Sequence, residues 1–371
     1  MFDFLSLIVP AVLPPTNIQT PYLKPAPFDV QGHRGSRGNA IENTLPAFAW
    51  ALIDGATTLE LDNGVTKACL SCCHPFTRLT ECPVAQDGVV VVWHDEHILP
   101  EKCRDTAPIS PDDEQFPYVG KLIVDLTLAQ IKTLDCGSQR QENYPLQLTY
   151  PGTKISTLEE VFAFVECADS DRLIKWNIES KIDAVHPERT ASVDAFVQKQ
   201  YAIFVKSGYK HAITFQSFDW RSLVAIKKLD PSMITSALAE YDTTLAYAHS
   251  KERSPWLAGR DVHAFPGSSY GSKLTAAAHS INATIISPSA ENNNISLASR
   301  DMVDTAHRLG MLIKPWTVNS LDIAQDLLDW GADGIITDYP NVVRRFVQQQ
   351  GRRVAPKYPK RRVLGCLEQF T

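Results

Sequence analysis

The sequence predicts an α/β chain folded as a closed TIM (β/α)8 barrel with loop insertions. Three observations carry that prediction. Short β-rich runs alternate with amphipathic helical stretches about eight times, which is the pattern of a parallel sheet. No G-x-G-x-x-G turn follows any of these runs, which favours a closed barrel over a doubly wound sheet. The 371 residues, 44% apolar and 21% charged, suit one such unit with a sizeable core.

Taken in order, residues 1–28 form a lead-in. Its later part, 14–29, holds five prolines and no apolar period. Leu5 to Leu13 is apolar apart from Ser6 and Pro10 but short, with Asp3 and no Lys or Arg before it; it reads as a weak or degraded signal peptide. The barrel is expected over 29–345. Its strand candidates are Leu59 to Thr66, Val89 to His94, Arg172 to Lys181, Ala212 to Ser217, Ile234 to Ala239, Ala283 to Ser287, Leu312 to Val318 and Gly334 to Asp338. Helices are expected at Thr44 to Ile53, Thr157 to Cys167, Thr190 to Ser207, Trp220 to Leu229, Arg300 to Leu309 and Leu321 to Trp330. Pro111 to Glu114 and Tyr144 to Gly152 read as excursions after the third strand. Residues 346–371, rich in Arg and Lys, read as a solvated basic tail.

A net charge of −6 argues against a nucleic-acid partner, since phosphate contacts need a basic surface. No apolar run approaches the ~18–20 residues of a membrane span. Of eight cysteines, Cys69, Cys72, Cys73 and Cys82 cluster beside His74 without the paired spacing of a zinc site; a zinc reading is the weaker one. Cys103 and Cys136 flank a loop-rich stretch and are read as a disulfide pair in an oxidising compartment. Sequons at Asn282 and Asn294 fit secretion, the expected location, with the cytoplasm as the alternative.

The chemistry begins at Gly32-His33-Arg34-Gly35, followed by Glu42-Asn43-Thr44. In Glu60-Leu61-Asp62 the strand period places both carboxylates on one face, roughly 6–7 Å apart along the strand. Two such acids repel unless a hard cation lies between them. The run Val89 to Trp93 then ends abruptly in His94-Asp95, and ionisable groups at strand ends are where barrel sites are built. In Arg172 to Lys181, Asn177, Glu179 and Lys181 share a face opposite Ile174, Trp176 and Ile178. Two imidazoles, three carboxylates and two cations are the parts that phosphodiester hydrolysis requires.

These motifs, with Thr66-Lys67, Asp87-Gly88, Gln216-Ser217-Phe218, Trp316-Thr317-Val318-Asn319 and Gly331 to Asp338, resemble the glycerophosphodiester phosphodiesterases over roughly Val30 to Val343. The resemblance implies a phospholipase-C-like phosphodiesterase barrel that hydrolyses glycerophosphodiesters to glycerol 3-phosphate and an alcohol. It implies His33 and His94 as acid/base pair, Glu60, Asp62 and Glu179 as ligands of one divalent cation, Mg²⁺ or Ca²⁺, and Arg34 and Lys181 at the phosphate. A route through a cyclic phosphate, by attack of the neighbouring glycerol hydroxyl, is likewise implied. Glu42 is read as a supporting acid, either near the metal or at a helix N-terminus. Trp316 either walls the alcohol pocket or packs in the core. The substrate is expected to be a small glycerophosphodiester or lysophospholipid.

One departure stands out. In the family the Thr-Lys pair runs directly into Asp-Gly, whereas here residues 68–86 intervene, carrying the whole cysteine cluster. The insert is either a loop beside the site or an unspliced intron, which a comparison of transcript with genome decides. Two other functions compete: a sphingomyelinase-D-like phospholipase on the same barrel, against which His-Arg-Gly and Glu-Ser-Lys count, and a non-catalytic ligand-binding barrel.

Overall fold

The computed structural model of the chain describes residues 26–67, 88–248, 252–290 and 296–371. The apolar N-terminal run, the 68–86 segment with its cysteines and the Asn294 sequon lie outside these residues.

The elements run β1 (Asp29–Gly32), α1 (Leu45–Asp54), β2 (Thr58–Val65), β3 (Val90–Val92), α2 (Leu128–Ile131), α3 (Leu158–Ala168), β4 (Lys175–Ser180), α4 (Val193–Ser207), β5 (Ile213–Ser217), α5 (Trp220–Leu229), β6 (Ile234–Ala239), α6 (Tyr270–His279), β7 (Ile285–Pro288), α7 (Arg300–Arg308), β8 (Leu312–Ile313), α8 (Leu321–Trp330), β9 (Gly334–Thr337), α9 (Pro340–Gln349) and α10 (Lys360–Phe370). Eight strands run parallel in the order β8-β7-β6-β5-β4-β2-β1-β9. Backbone bonds bridge the seam between β8 and β9: Asp333 N to Ile313 O (3.0 Å), Ile336 N to Pro315 O (3.0 Å) and Val318 N to Ile336 O (2.9 Å). This is the expected barrel.

Helices begin where the sequence supplies caps. Thr44 Oγ1 accepts from Ala47 N ahead of α1, Thr157 and Glu160 form a capping box on α3, and Asp219 caps α5. Outward strand residues such as Leu59, Leu61, Trp176 and Ile178 meet Phe48, Leu52 and Phe164 in one apolar layer between ring and helices. Trp220 is fully buried in that layer and gives its indole N–H to Leu238 O; truncating it to Ala costs about 3–5 kcal/mol.

Three expectations need correction. The stretch Val89 to His94 is not a barrel strand: among the described strands β3 pairs with β2, antiparallel, with Val65 opposite Val90 and Asn63 opposite Val92, and on its other side Val91 makes an isolated bridge to Thr157. The eighth strand is instead β1, whose Asp29 and Gln31 face inward and so hid a strand behind polar residues. The expected basic tail carries α10, with Val363, Cys366 and Leu367 buried against α1 and α3 and Cys366 bonded to Cys167. Its basic side chains do face solvent. The expected Cys103–Cys136 disulfide is present and staples a long excursion between β3 and α3. That excursion has a small core of its own, including Ile98, Tyr118, Leu126 and Leu134.

Candidate active site

The inward positions of consecutive barrel strands climb toward one end. On β1 the sequence Asp29, Gln31, His33 advances two residues at a time, as Glu60 and Asp62 do on β2 and Asn177, Glu179 and Lys181 do on β4. The lower layers close on themselves: Lys314 Nζ donates to Asp29 Oδ2 (2.7 Å), and Asn177 Nδ2 donates to both Gln31 and Gln216 (2.8 Å each). The upper layer opens into a cavity of about 610 Å³ lined by His33, Arg34, Glu60, His94, Glu179 and Lys181, with Trp316 and Phe218 among its walls.

Register brings the carboxylates together. Asp62 lies opposite Glu179 in the β2–β4 pairing, and Glu60, Asp62 and Glu179 each bring a ligand oxygen within 4.8 Å of the others, all three buried. Burial and the neighbouring Asp62 charge push the Glu60 carboxyl well up, and burial likewise pushes Glu179 up to about 7 against the pull of Lys181. Burial would raise Asp62 too, but the Arg34 and Lys181 charges hold it below the usual carboxylate range. Its Oδ1 is buried without a hydrogen-bond partner.

The Gly-His-Arg-Gly turn has a local cause. Gly35 N donates to Gly32 O, and a Cβ on Gly32 would lie 2.1 Å from Gly35 O, so the turn closes only with glycine there. Arg34 sits at φ 50°, a strained setting for a side chain. The strain aims its N–H at Glu60 Oε2 (2.7 Å), its Nε at Asp62 (3.2 Å) and its Nη1 at Glu42 (2.9 Å). Glu-Asn-Thr divides labour in the same way. Asn43, at φ 55°, donates to Asp62 Oδ2 (2.7 Å), and Thr44 caps α1.

Glu42 lies at the site as a supporting acid, held by cations. Its carboxylate is taken up by Arg34, by Arg37 Nε (2.6 Å), by Lys102 Nζ (2.7 Å) and by Gln141 (3.0 Å). Burial opposes its charge, yet those cations hold it well below the usual range. Lys102 also reaches Asp95 (2.5 Å), so a cation already joins Glu42 to Asp95. Asp95 in turn meets His94 Nδ1 at 2.9 Å. Burial, then the Arg34 and Lys181 charges, push His94 down to about 3, leaving a neutral imidazole.

His33 is held from the far end of the chain, its Nδ1 2.6 Å from Asp338 Oδ1. Burial lowers its pKa despite that partner. Tyr144 Oη and Asn319 Nδ2 both donate to Asp338 Oδ2 (2.7 Å each). Trp316 gives its indole N–H to Ser287 O (2.9 Å) and stands edge-on to Phe218 at 5.4 Å, half-buried on the cavity wall rather than in the core. Every sequence-predicted site residue thus reaches this region. Sequence reasoning missed Asp338, Asn43, Lys102, Asn319 and Tyr144 as members. Asp338, Asn43 and Asn319 carried a signal, being polar residues inside motifs whose chemistry was assigned to their neighbours.

Residues 81–342 match a family model described as the glycerophosphoryl diester phosphodiesterase family. A glycerophosphodiester phosphodiesterase of Bacillus subtilis (strain 168) is 27% identical, covering 84% of either chain, and one of Caldanaerobacter subterraneus subsp. tengcongensis is 26% identical over 87% of this chain and 98% of its own. A solved structure from Silicibacter pomeroyi DSS-3 superposes with a TM-score of 0.67 at 25% identity, covering 89% of this chain and 96% of the other. An Oleispira antarctica phosphodiesterase, solved with the product sn-glycerol-3-phosphate, shares the fold at a TM-score of 0.56 and 18% identity, over 87% and 97%.

Proposed function

The chain belongs to the glycerophosphoryl diester phosphodiesterase family, and on that footing we propose that it hydrolyses glycerophosphodiesters to glycerol 3-phosphate and an alcohol, or a lysophospholipid to its acylated glycerol phosphate and the headgroup alcohol, using one divalent cation, Mg²⁺ or Ca²⁺. The observation that carries the reading is the buried triad Glu60, Asp62 and Glu179, whose oxygens converge beneath two imidazoles and two cations. The triad fits a hard cation: three oxygen donors, two carboxyls raised by burial and mutual repulsion, and an Asp62 Oδ1 that makes no hydrogen bond and has only the Lys181 Nζ charge at 3.7 Å. When bound there, the ion supplies charge neutralisation at a phosphoryl oxygen.

The protein's own groups account for the remaining steps. Arg34 and Lys181 hold phosphate oxygens and neutralise charge that develops on them. With Nδ1 of each histidine engaged by Asp338 or Asp95, Nε2 is the atom left to move a proton. One imidazole, neutral, takes the proton of the attacking glycerol hydroxyl, while the other must carry a proton on Nε2 in the reacting complex and gives it to the departing alkoxide. Water then opens the cyclic phosphate with the two roles exchanged, which yields glycerol 3-phosphate and restores both imidazoles. Trp316 and Phe218 supply an apolar wall for the carbon skeleton. Secretion is part of the same proposal, supported by the two disulfides and by the exposed Asn282 sequon. The direct test is turnover of several glycerophosphodiesters by the purified chain with and without a chelator. Cleavage that survives chelation would remove the metal from the mechanism.

A further inference from the structure

We infer that Tyr144, carried by the excursion between β3 and α3 rather than by the barrel, is a positioning residue for His33: its hydroxyl fixes the Asp338 carboxylate that orients the imidazole and holds the proton on Nδ1. The inference rests on the hydrolase reading above and adds a residue to its machinery.

Tyr144 sits in a tight turn, its N–H donating to Gln141 O (2.9 Å) and its carbonyl accepting from Gln147 N (3.0 Å). That turn is docked on the loop that follows His33 and Arg34. Gln147, fully buried, donates its amide to Arg37 O (2.7 Å), Leu148 N donates to Asn39 O (2.8 Å), and Leu148 bridges Ala40. The same loop is tied to the end of β9, where Gly38 N donates to Asp338 O (2.8 Å). These anchors bring the excursion and Asp338 to one place, although Tyr144 and Asp338 are 194 residues apart. Packing does not account for the tyrosine. Its neighbours Glu142, Asn143, Pro145 and Leu146 are exposed, and among the described residues it joins none of the apolar clusters. What it touches is polar: Asp338 Oδ2 at 2.7 Å from its hydroxyl, and the Arg37 guanidinium 4.8 Å over its ring.

The hydroxyl suits the task. Burial, then the Asp338 charge, push the phenol well above its ordinary pKa, so it stays a donor at every working pH. Asp338 accepts from Tyr144 and Asn319 on Oδ2, which leaves Oδ1 for His33 Nδ1 at 2.6 Å. A carboxylate held on one oxygen by two donors presents the other to the imidazole in one orientation, which keeps the proton on Nδ1 and turns Nε2 to the cavity. His33 lines that cavity, whereas among the described residues neither Asp338 nor Tyr144 does, so the phenol acts from behind the imidazole and not on the ligand. The charged and titratable groups facing the His33–Asp338 pair are Arg34, Arg37, Tyr144 and Tyr339. Removing the phenol oxygen takes one donor from Asp338 and leaves the other three groups in place.

The test is Tyr144→Phe in the full chain with its cation, on glycerophosphocholine. The variant is expected to lower kcat about tenfold with KM unchanged, the scale of a lost hydrogen bond behind a working imidazole. The limb of the kcat–pH profile that His33 sets should move to higher pH, because a carboxylate relieved of one donor holds the Nδ1 proton more strongly. For the same reason the Nδ1–H resonance of His33, assigned by NMR from its loss in His33→Ala, should move downfield, a reading that needs no turnover. A resonance that stays in place overturns the inference whatever kcat does. So does a rise in KM at constant kcat, which would put Tyr144 on the substrate. Leu146→Ala, on the exposed side of the same turn, should leave all these readings alone; if it lowers kcat as Tyr144→Phe does, the turn and not the hydroxyl is what counts. Absence of turnover on every diester by the unaltered protein sinks the hydrolase reading instead, while the resonance still decides Tyr144.

Discussion

His33 gives Nδ1 to Asp338, a carboxylate fixed in turn by Tyr144 and Asn319, while His94 gives Nδ1 to Asp95, which Lys102 pins to Glu42. Replacing either histidine with Ala should lower kcat by ~10²–10⁴. On a diester with a nitrophenol leaving group, which needs no proton, only the variant lacking the general acid should recover; recovery of both or of neither sinks the split of roles. Glu42 gives a stability prediction. Its carboxyl is held well below the usual range, so its contribution is complete above the unfolded value near ~4.3 and is lost as pH falls. Glu42→Gln leaves three cations without their shared anion and should cost about 3 kcal/mol at pH 7, with a smaller penalty at pH 3, read by urea unfolding at both. At this scale, the acids and bases that end inward-facing runs were legible in the sequence, because nothing in packing explains a charge there. The pairing of Asp338 with His33 was not, because the two are 305 residues apart and only the closed ring makes them neighbours.

The hairpin of β2 and β3 shows how an element was misread and the site still found. A buried valine run ending in His94-Asp95 predicts a strand that delivers a histidine, and β3 does so, but on an antiparallel return: Trp93 N donates to Asp62 O (3.0 Å), setting His94 beside the triad. Periodicity does not distinguish that direction from a barrel strand. At the seam the expected strand Leu312 to Val318 is regular only over the two residues of β8, and the closure passes to Pro315 and Val318 within the same stretch. Helix α10 was missed because its apolar stripe, Val363, Leu364, Cys366, Leu367 and Phe370, follows a run of Lys and Arg that reads as a tail, and its disulfide partner, Cys167, lies 199 residues away. The excursion after β3 gives the element's own prediction. Cys103 adjoins Lys102, so the Cys103–Cys136 bond restrains the loop that holds both Glu42 and Asp95. Cys136→Ser should lower kcat several-fold with circular dichroism unchanged, and reductant should do the same to the unaltered protein. A kcat indifferent to both shows that the clamp on Asp95 does not depend on the staple.

For the whole molecule, a cation that binds the folded barrel alone adds its binding free energy to stability, about 4 kcal/mol at a thousandfold excess over Kd. Heating scans with saturating Mg²⁺ or Ca²⁺ and with a chelator should separate by several degrees, and Asp62→Asn should abolish the difference. Identical scans would mean that the triad holds no ion. The hydrogen-bonded ring is completed by β1, β2 and β4 to β9, and the chain steps outside it between Asn63 and His94. Thr66 N bonds to Val89 O across that detour, so the two strands stay in register whatever number of residues joins them. Lengthening the connection costs only about 0.6 kcal/mol per doubling, and the alignment of Asp62 with His94 is set below it. The tip of this hairpin is therefore a place where the lineage can add or lose sequence while the chemistry beneath it is inherited unchanged.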